Sequence, residues 1–336
     1  MQRLTRHRRT DRGAASVWVA VLMIPLLVVG ALGIDVGAMH ADRQRLQIGA
    51  DAAALAVAQQ CAIRSCTVAS ATTTAQELAT ANDPMADDAT AAIVDLAPGW
   101  VEVATSSERE HWFAPVMGID ETELDASSAA AWGYPTGGPG VMPFALSWCE
   151  LAVQAGLPPI RNAAGRIVGI QIPQAGVTRT ILATKTSDTG CTGPSGNVVP
   201  GGFGWLEPTE GCGSTVTDID SWAPSDPGNS PPNGCSPSDF SQWIGQTIYL
   251  PVFDMDNGRG GSNAAYGIFG YVAFRLDAYY FAGQYVTPGR PCSGNQRCIV
   301  GTFLRYADLD SEFEFSANGP QMGAAIVQLA LPEDRP

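Results

Sequence analysis

The chain of 336 residues carries 33 acidic side chains against 18 Arg and one Lys, Lys185, for a formal net charge of −14. Apolar residues make up 45% and charged residues 15%, too apolar for a disordered chain. Beyond residue 13 the balance is 14 basic to 32 acidic groups, or −18, which argues against a nucleic-acid partner, because phosphate binding needs basic stripes.

Residues 1–13 form a basic segment with Arg3, Arg6, Arg8, Arg9 and Arg12. Residues 14–34, AASVWVAVLMIPLLVVGALGI, follow without a charge. A helix of that length rises roughly 31 Å, enough to cross the hydrocarbon core of a bilayer. A transmembrane helix is therefore expected over 14–34. The basic flank puts the N-terminus in the cytoplasm and everything from Asp35 onward outside. Two other readings compete. A cleaved secretory signal would use Ala31 and Gly33 as a small-residue cleavage site, but the apolar run exceeds the usual h-region of about 7–15 residues. A buried core helix fits poorly with five Arg directly upstream. Pro25 removes one backbone hydrogen bond, which membrane helices tolerate.

Residues 41–60, ADRQRLQIGADAAALAVAQQ, are strong helix formers apart from Gly49. Leu46, Ala50, Ala53 and Val57 recur at helical spacing and form one narrow apolar face. The helix is expected to leave the membrane as a stalk, about 70 Å long from residue 14 to 60. Its Ala seam over 50–58 is expected to be the surface through which partner proteins approach. Residues 68–92, rich in Ala and Thr, read as a second, weaker helix. Residues 100–106, WVEVATS, alternate like a strand. Residues 111–120, HWFAPVMGID, read as a short helical turn, and 121–132 as a second strand. Residues 35–134 thus read as a stalk with a small α+β unit.

The stretch GYPTGGPG at 133–140 is a linker by composition, and 135–142 is taken as the boundary. Residues 143–332 hold short apolar runs separated by Gly, Pro, Asn and Asp, and read as a β-rich exterior domain. Residues 209–239 read as a long ordered loop pinned by a disulfide. The fold class is α+β, with a single N-terminal transmembrane helix, an Ala-rich stalk and a disulfide-stapled exterior domain.

All eight Cys lie beyond the span, with no CxxC among them. An even number without paired short spacings favours disulfides over zinc. Cys61–Cys66 and Cys292–Cys298 are the local candidates, and Cys149–Cys191 with Cys212–Cys235 would complete the set, out of 105 connectivities.

Signs of catalysis are sparse. Of the three His, His7 falls before the span, His40 at the membrane boundary and His111 in the exterior part. His111 beside Trp112 reads as structural, and one His supports no Ser–His–Asp arrangement. GxSxG, HExxH, GxxxxGK[ST] and GxGxxG do not occur. Asp254, Asp256 and Asn257 in DMDNGRGGSN are weak Ca²⁺ candidates, although Gly258 replaces an EF-hand ligand and Asn-Gly is itself a turn signal. Asp308, Asp310 and Glu312 alternate as a solvated strand face would. DASSA at 125–129 fails the metal-adhesion DxSxS pattern at Ala129. Spacing singles out no pair of carboxylates for a glycosidase. Tyr271, Phe274, Tyr279, Tyr280 and Phe281 would suit a carbohydrate platform, but read better as core and cross-strand packing. No cofactor or metal is expected, and a small-molecule ligand is left open.

Residues 12–60 resemble the N-terminal domain of TadG-like proteins of Flp (tight-adherence) pilus assembly. The residues that carry the resemblance are Arg12-Gly13, Pro25 within the apolar run, Asp35-Val36-Gly37, and QRLQIGADAAALAVA at 44–58, with Asp51 in its Ala-Asp-Ala-Ala-Ala-Leu-Ala segment. PFALSWC (143–149), LPVFD (250–254) and CIVGTF (298–303) also look like actinobacterial members. The resemblance implies a membrane-anchored, non-enzymatic component of pilus assembly or surface attachment, minor pilin-like in one version, with pilus proteins as partners. Trp18 stands where the pilin-like TadE and TadF relatives carry Glu, which argues against processing after Gly13. The missing DxSxS removes the von Willebrand-type metal site of some TadG proteins. The alternatives are an exported adhesin or glycan-binding module, and an anchored extracytoplasmic hydrolase.

Overall fold

The computed structural model describes residues 12–63, 66–82, 91–183, 191–199, 202–208, 211–212, 215–228, 230–309, 312–331, 333 and 335. The basic segment before residue 12 lies outside the described residues. Helix α1 (Arg12–Ile63) is one helix of 52 residues, about 78 Å at 1.5 Å per residue. It runs through Pro25 without interruption. Every residue from Ser16 to Gly30 is exposed, so among the described residues none buries that stretch of the apolar run. The helix is long and apolar enough to cross a membrane.

The chain divides into two compact units at places other than the expected boundary. The first unit comprises residues 1–54, 68–95 and 102–128, and the second 55–67, 96–101 and 129–336. Long elements carry the chain across the division. These are α1, the hairpin of β1 (Ala91–Ala97) and β2 (Trp100–Glu110), and the 20-residue strand β3 (Glu121–Gly140).

In the first unit, α2 (Val68–Asn82) is shorter than expected, and residues 91 and 92 of the expected helix lie in β1. The stretch between α2 and β1 is outside the described residues. Ile93 and Val94 are β-branched and favour a strand. The backbone N–H of Ala92 donates to Gln76 Oε1 at 3.0 Å. Leu46 of α1 is buried with Leu124 and Ala126 of β3, with Met39 packed beside them. Gln47 Nε2 donates to Ser127 O at 3.0 Å, fixing α1 against the same strand.

The Ala seam is not a free surface. Ala50, Ala53, Ala54, Val57 and Ala58 are all fully buried. On α2, Ala71, Ala75 and Ala79 are buried at a spacing of four, one helical face. A Cβ on Gly49 would lie 3.4 Å from Asn82 Cβ and 3.5 Å from Ala79 Cα, so α1 and α2 approach closely there. Small side chains allow that approach, and the chain itself fills the face expected to receive partners.

The second unit is built from strands. After β3 come β4 (Phe144–Ser147), β5 (Pro159–Arg161), β6 (Ile167–Ile170), β7 (Val177–Leu182), β8 (Phe203–Trp205), β9 (Thr215–Asp218) and β10 (Trp222–Pro224). A short helix, α3 (Pro237–Ser241), precedes β11 (Thr247–Asp256), β12 (Ala265–Ala282), β13 (Tyr285–Val286), β14 (Cys298–Leu304), β15 (Tyr306–Asp308), β16 (Glu314–Ser316) and β17 (Ala324–Ala330). One sheet has the order β7-β14-β12-β11-β4-β8, with β10 and β13 on β12. Its spine is the antiparallel pair β11–β12, paired from Thr247↔Arg275 to Asp256↔Tyr266 with register shifts on either side of Phe253. In the other sheet β17 runs antiparallel to β3 and parallel to β15.

The glycine-rich stretch expected to be a linker is strand through Gly140. It pairs with β9 (Gly137↔Asp218) and β16 (Phe315↔Pro135). Its glycines answer close neighbours, because a Cβ on Gly138 would lie 2.6 Å from the Phe313 ring and one on Gly133 2.6 Å from the Ser316 backbone. Flexibility is not what selects them.

The core of this unit is aromatic. Phe144, Phe203, Trp205, Phe240 and Phe281 meet edge-to-face or tilted with centroids 5.0 to 6.2 Å apart, a preferred arrangement of aromatic quadrupoles. Both sheets feed it, since Ala324 and Ile326 of β17 belong to the same cluster. Two tyrosine hydroxyls tie the sheets together. Tyr249 donates to Ala325 O at 2.9 Å and Tyr271 to Thr217 O at 2.8 Å.

Disulfides join Cys61 to Cys66, Cys149 to Cys191, Cys212 to Cys235 and Cys292 to Cys298. At the end of α1, the Arg305 guanidinium donates to Ile63 O at 3.2 Å. It supplies the positive group that the last helical turn lacks.

Candidate functional site

The motif residues of the resemblance all lie on α1 and do different work. Gly13 sits in the first turn and Pro25 within the exposed apolar run. Asp51 is held by its own helix, accepting from Gln47 Nε2 at 2.9 Å. At Gly37 a Cβ would meet nothing within 4 Å.

Asp35 is the exception. It is the first charged residue after the apolar run and is buried. Its Oδ1 accepts from the backbone N–H of Trp112 at 3.0 Å. Its Oδ2 accepts from Phe113 at 2.9 Å and Ala114 at 2.8 Å. These three donors open the single-turn 3-10 helix Ala114–Met117, which has no capping side chain of its own. A carboxylate from α1 therefore does the capping. Burial pulls the Asp35 pKa up, but the three N–H donors and nearby His111 pull it down further, leaving it below the ordinary value. His111 points at Thr122, with Nε2 2.8 Å from Oγ1, a structural contact. Arg109 pairs with Asp42 at 3.0 Å and stacks over Trp112 with Cζ 5.3 Å from the ring centroid. Asp35 and the turn it caps were not linked by sequence spacing. The one signal was an apolar, uncharged turn in a part of the chain otherwise rich in acid.

In the second unit the weak Ca²⁺ candidates each accept a backbone hydrogen bond. Asp254 is buried, its Oδ2 accepting from Ser195 N at 2.7 Å. Burial raises its pKa against the lowering effect of Ser195. Asp256 accepts from Gly258 N at 2.9 Å and Asn257 from Arg259 N at 3.1 Å, the side-chain-to-backbone pattern of Asx turns. Asn257 Nδ2 also donates to Asn263 O at 2.9 Å. Among the described residues no group of three or more His, Cys, Asp or Glu gathers to hold a metal. Asp310 lies outside the described residues.

The aromatic run is core, not platform. Tyr271, Phe274, Tyr279, Tyr280 and Phe281 are all buried, so a sugar has no access to them. A polar cleft of about 710 Å³ does open near Asp254, lined among others by Arg161, Arg166, Ser195 and Phe269.

Glu150 is a strongly perturbed carboxyl. It opens the π-helical turn Glu150–Gln154, beside the Cys149–Cys191 disulfide, and is fully buried. Its Oε1 accepts from Gly202 N at 2.6 Å. Burial raises its pKa to about 7, against the lowering effect of that hydrogen bond.

No curated protein and no solved structure matches the chain. Residues 13–60 match the family model Tad, described as Flp pilus-assembly TadE/G-like. The matched span begins at Gly13 and contains the apolar run, Asp35, Gly37 and the Ala seam. Over those residues, and not over the rest of the chain, the protein is similar to the TadE/G-like family of Flp pilus assembly.

Proposed function

We propose that the protein is a single-pass, non-enzymatic component of Flp-type pilus assembly or surface attachment. Its N-terminus is cytoplasmic and its disulfide-bonded second unit extracytoplasmic. The observation that carries this reading is the unburied apolar run of α1 inside the residues similar to that family. An exposed helix of that kind has no stable place in water and needs either lipid or a partner helix. Five Arg precede the run, and the first Lys or Arg after it is Arg43, which supports the orientation. Four disulfides fit an oxidising exterior. With the Ala seam buried, the surface left for pilus partners on α1 is its exposed face, including Val36, Gly37 and Ile48.

The test is to fractionate the native host and sequence the mature N-terminus. An intact chain in the membrane fraction is expected and supports a fixed assembly component. Cleavage after Gly13 would make it a fibre subunit despite Trp18. Cleavage near Gly33 with a soluble product would overturn the anchored reading.

A further inference from the structure

The turn between β2 and β3 exposes Trp112, Phe113, Val116, Met117 and Ile119, with Val116 at 91%. Five large apolar side chains in eight residues, with no Asp, Glu, Lys or Arg among them, form a patch that a water-facing surface seldom carries. The patch is built rather than loose. Asp35 holds three of its backbone N–H groups, and His111 N donates to Asp120 O at 2.9 Å to close its base.

Its position gives it a meaning. Phe113, Val116 and Met117 line an apolar cleft of about 520 Å³ together with Leu26, Gly30 and Ile34 of α1. Residues 26–34 are the last nine of the apolar run and extend about 12 Å along the helix axis. A bilayer that surrounds the run also surrounds the turn beside it. Polar groups follow just above this level. Asp35 is the first charge after the run, and Arg109, paired to Asp42, lies over the Trp112 ring. Trp112 is tied to Asp35 through its backbone N–H, whereas the Arg109 guanidinium pairs with Asp42, seven residues further along α1, so the charge lies on the side away from the apolar run, as expected where a Trp sits at an interface and a guanidinium reaches water.

We propose that residues 112–119 form a wedge that enters the exterior leaflet beside residues 26–34, with lipid acyl chains occupying the cleft. Asp35 is then the positioning residue that couples the wedge to the span. The wedge fixes the rotation and depth of α1, because the helix turns only by dragging five apolar side chains through the interface. This inference rests on the membrane-anchored reading, and the test separates the two.

In the full chain, in native membranes, Val116, Leu27 or Val216 is replaced by the photo-crosslinker p-benzoylphenylalanine. All three positions are exposed, so the replacement leaves packing intact. Irradiation followed by mass spectrometry reads phospholipid adducts. The expected result is a lipid adduct at Val116 and at Leu27, and none at Val216. A lipid adduct at Leu27 with none at Val116 overturns the wedge and leaves the span standing. A protein adduct at Val116, whether to a second copy or to another subunit, also overturns it and assigns the cleft to that partner. No lipid adduct at Leu27 or Val116 overturns both readings.

Discussion

Replacing Glu150 by Gln tests whether the buried carboxyl costs the fold stability. The raised proton affinity comes chiefly from burial, with the Gly202 hydrogen bond working against it. Between pH 4.5 and about 7 the native protein keeps this proton while the unfolded chain releases it. Stability therefore falls as pH rises through that window and levels off above it. Each tenfold change in proton affinity is about 1.4 kcal/mol, so the rise from 4.5 to about 7 is worth at most about 3 kcal/mol. Gln keeps an oxygen to accept from Gly202 N and carries no charge. Glu150→Gln is thus expected to match the wild type near pH 4.5 and to exceed it by up to about 3 kcal/mol at pH 8. The assay is denaturant unfolding of the full chain in detergent, followed by tryptophan fluorescence at both pH values. The reading rests on the difference between the two proteins, in which other titrating groups cancel. A difference that stays constant with pH, or a Gln variant weaker at pH 8, would refute the reasoning.

Four further outcomes follow from the same geometry. Asp35→Ala should raise the amide exchange of Trp112, Phe113 and Ala114 while leaving β12 protected; unchanged exchange would mean the carboxylate does not hold the turn. Because the Asp35 pKa is lowered in the fold, that protection should be present above about pH 4 in the wild type and fade as pH falls through the lower native value, read by exchange corrected for intrinsic rates. Ala53→Leu overfills the buried seam and should cost about 1–3 kcal/mol, whereas Ile48→Ala on the exposed face should stay within about 0.5 kcal/mol; equal effects in thermal unfolding would contradict the burial of the seam. Replacing Cys149 and Cys191 together by Ser opens a loop with a sequence separation of 42 and should cost about 4 kcal/mol on the chain-entropy account, read as a lowered denaturation midpoint.

How much of this was legible in the residues depends on the range of the interaction that decided each feature. Helix α1 is a local matter. An uncharged apolar run followed by Ala, Gln, Leu and Arg favours helix at nearly every position, and the expected stalk and the observed helix coincide over residues 14–60. The β-rich character of the second part was legible for the same reason, since short apolar runs bounded by turn residues are local signals. The stretch at 133–140 shows where locality ends. Its glycines have the composition of a linker, but Phe313 and Ser316, some 180 residues away, are what require them. Periodicity found the apolar face of the seam correctly and was silent on what covers it; α2, also rich in Ala, was the nearer candidate in the chain.

Asp35 and Gly37, two residues apart on α1, differ in what the fold asks of them. Asp35 has a structural duty on the page, because its carboxylate caps a turn. Gly37, two residues on, has none, since a Cβ there meets nothing. Within a helix interior, Gly→Ala at an open position stabilises by roughly 0.5–1 kcal/mol. The chain's own fold therefore gives no reason for Gly at that position. Gly37→Ala is therefore expected to stabilise the isolated chain by about 0.5–1 kcal/mol in thermal unfolding, and a loss of stability instead would contradict the open surroundings of that position.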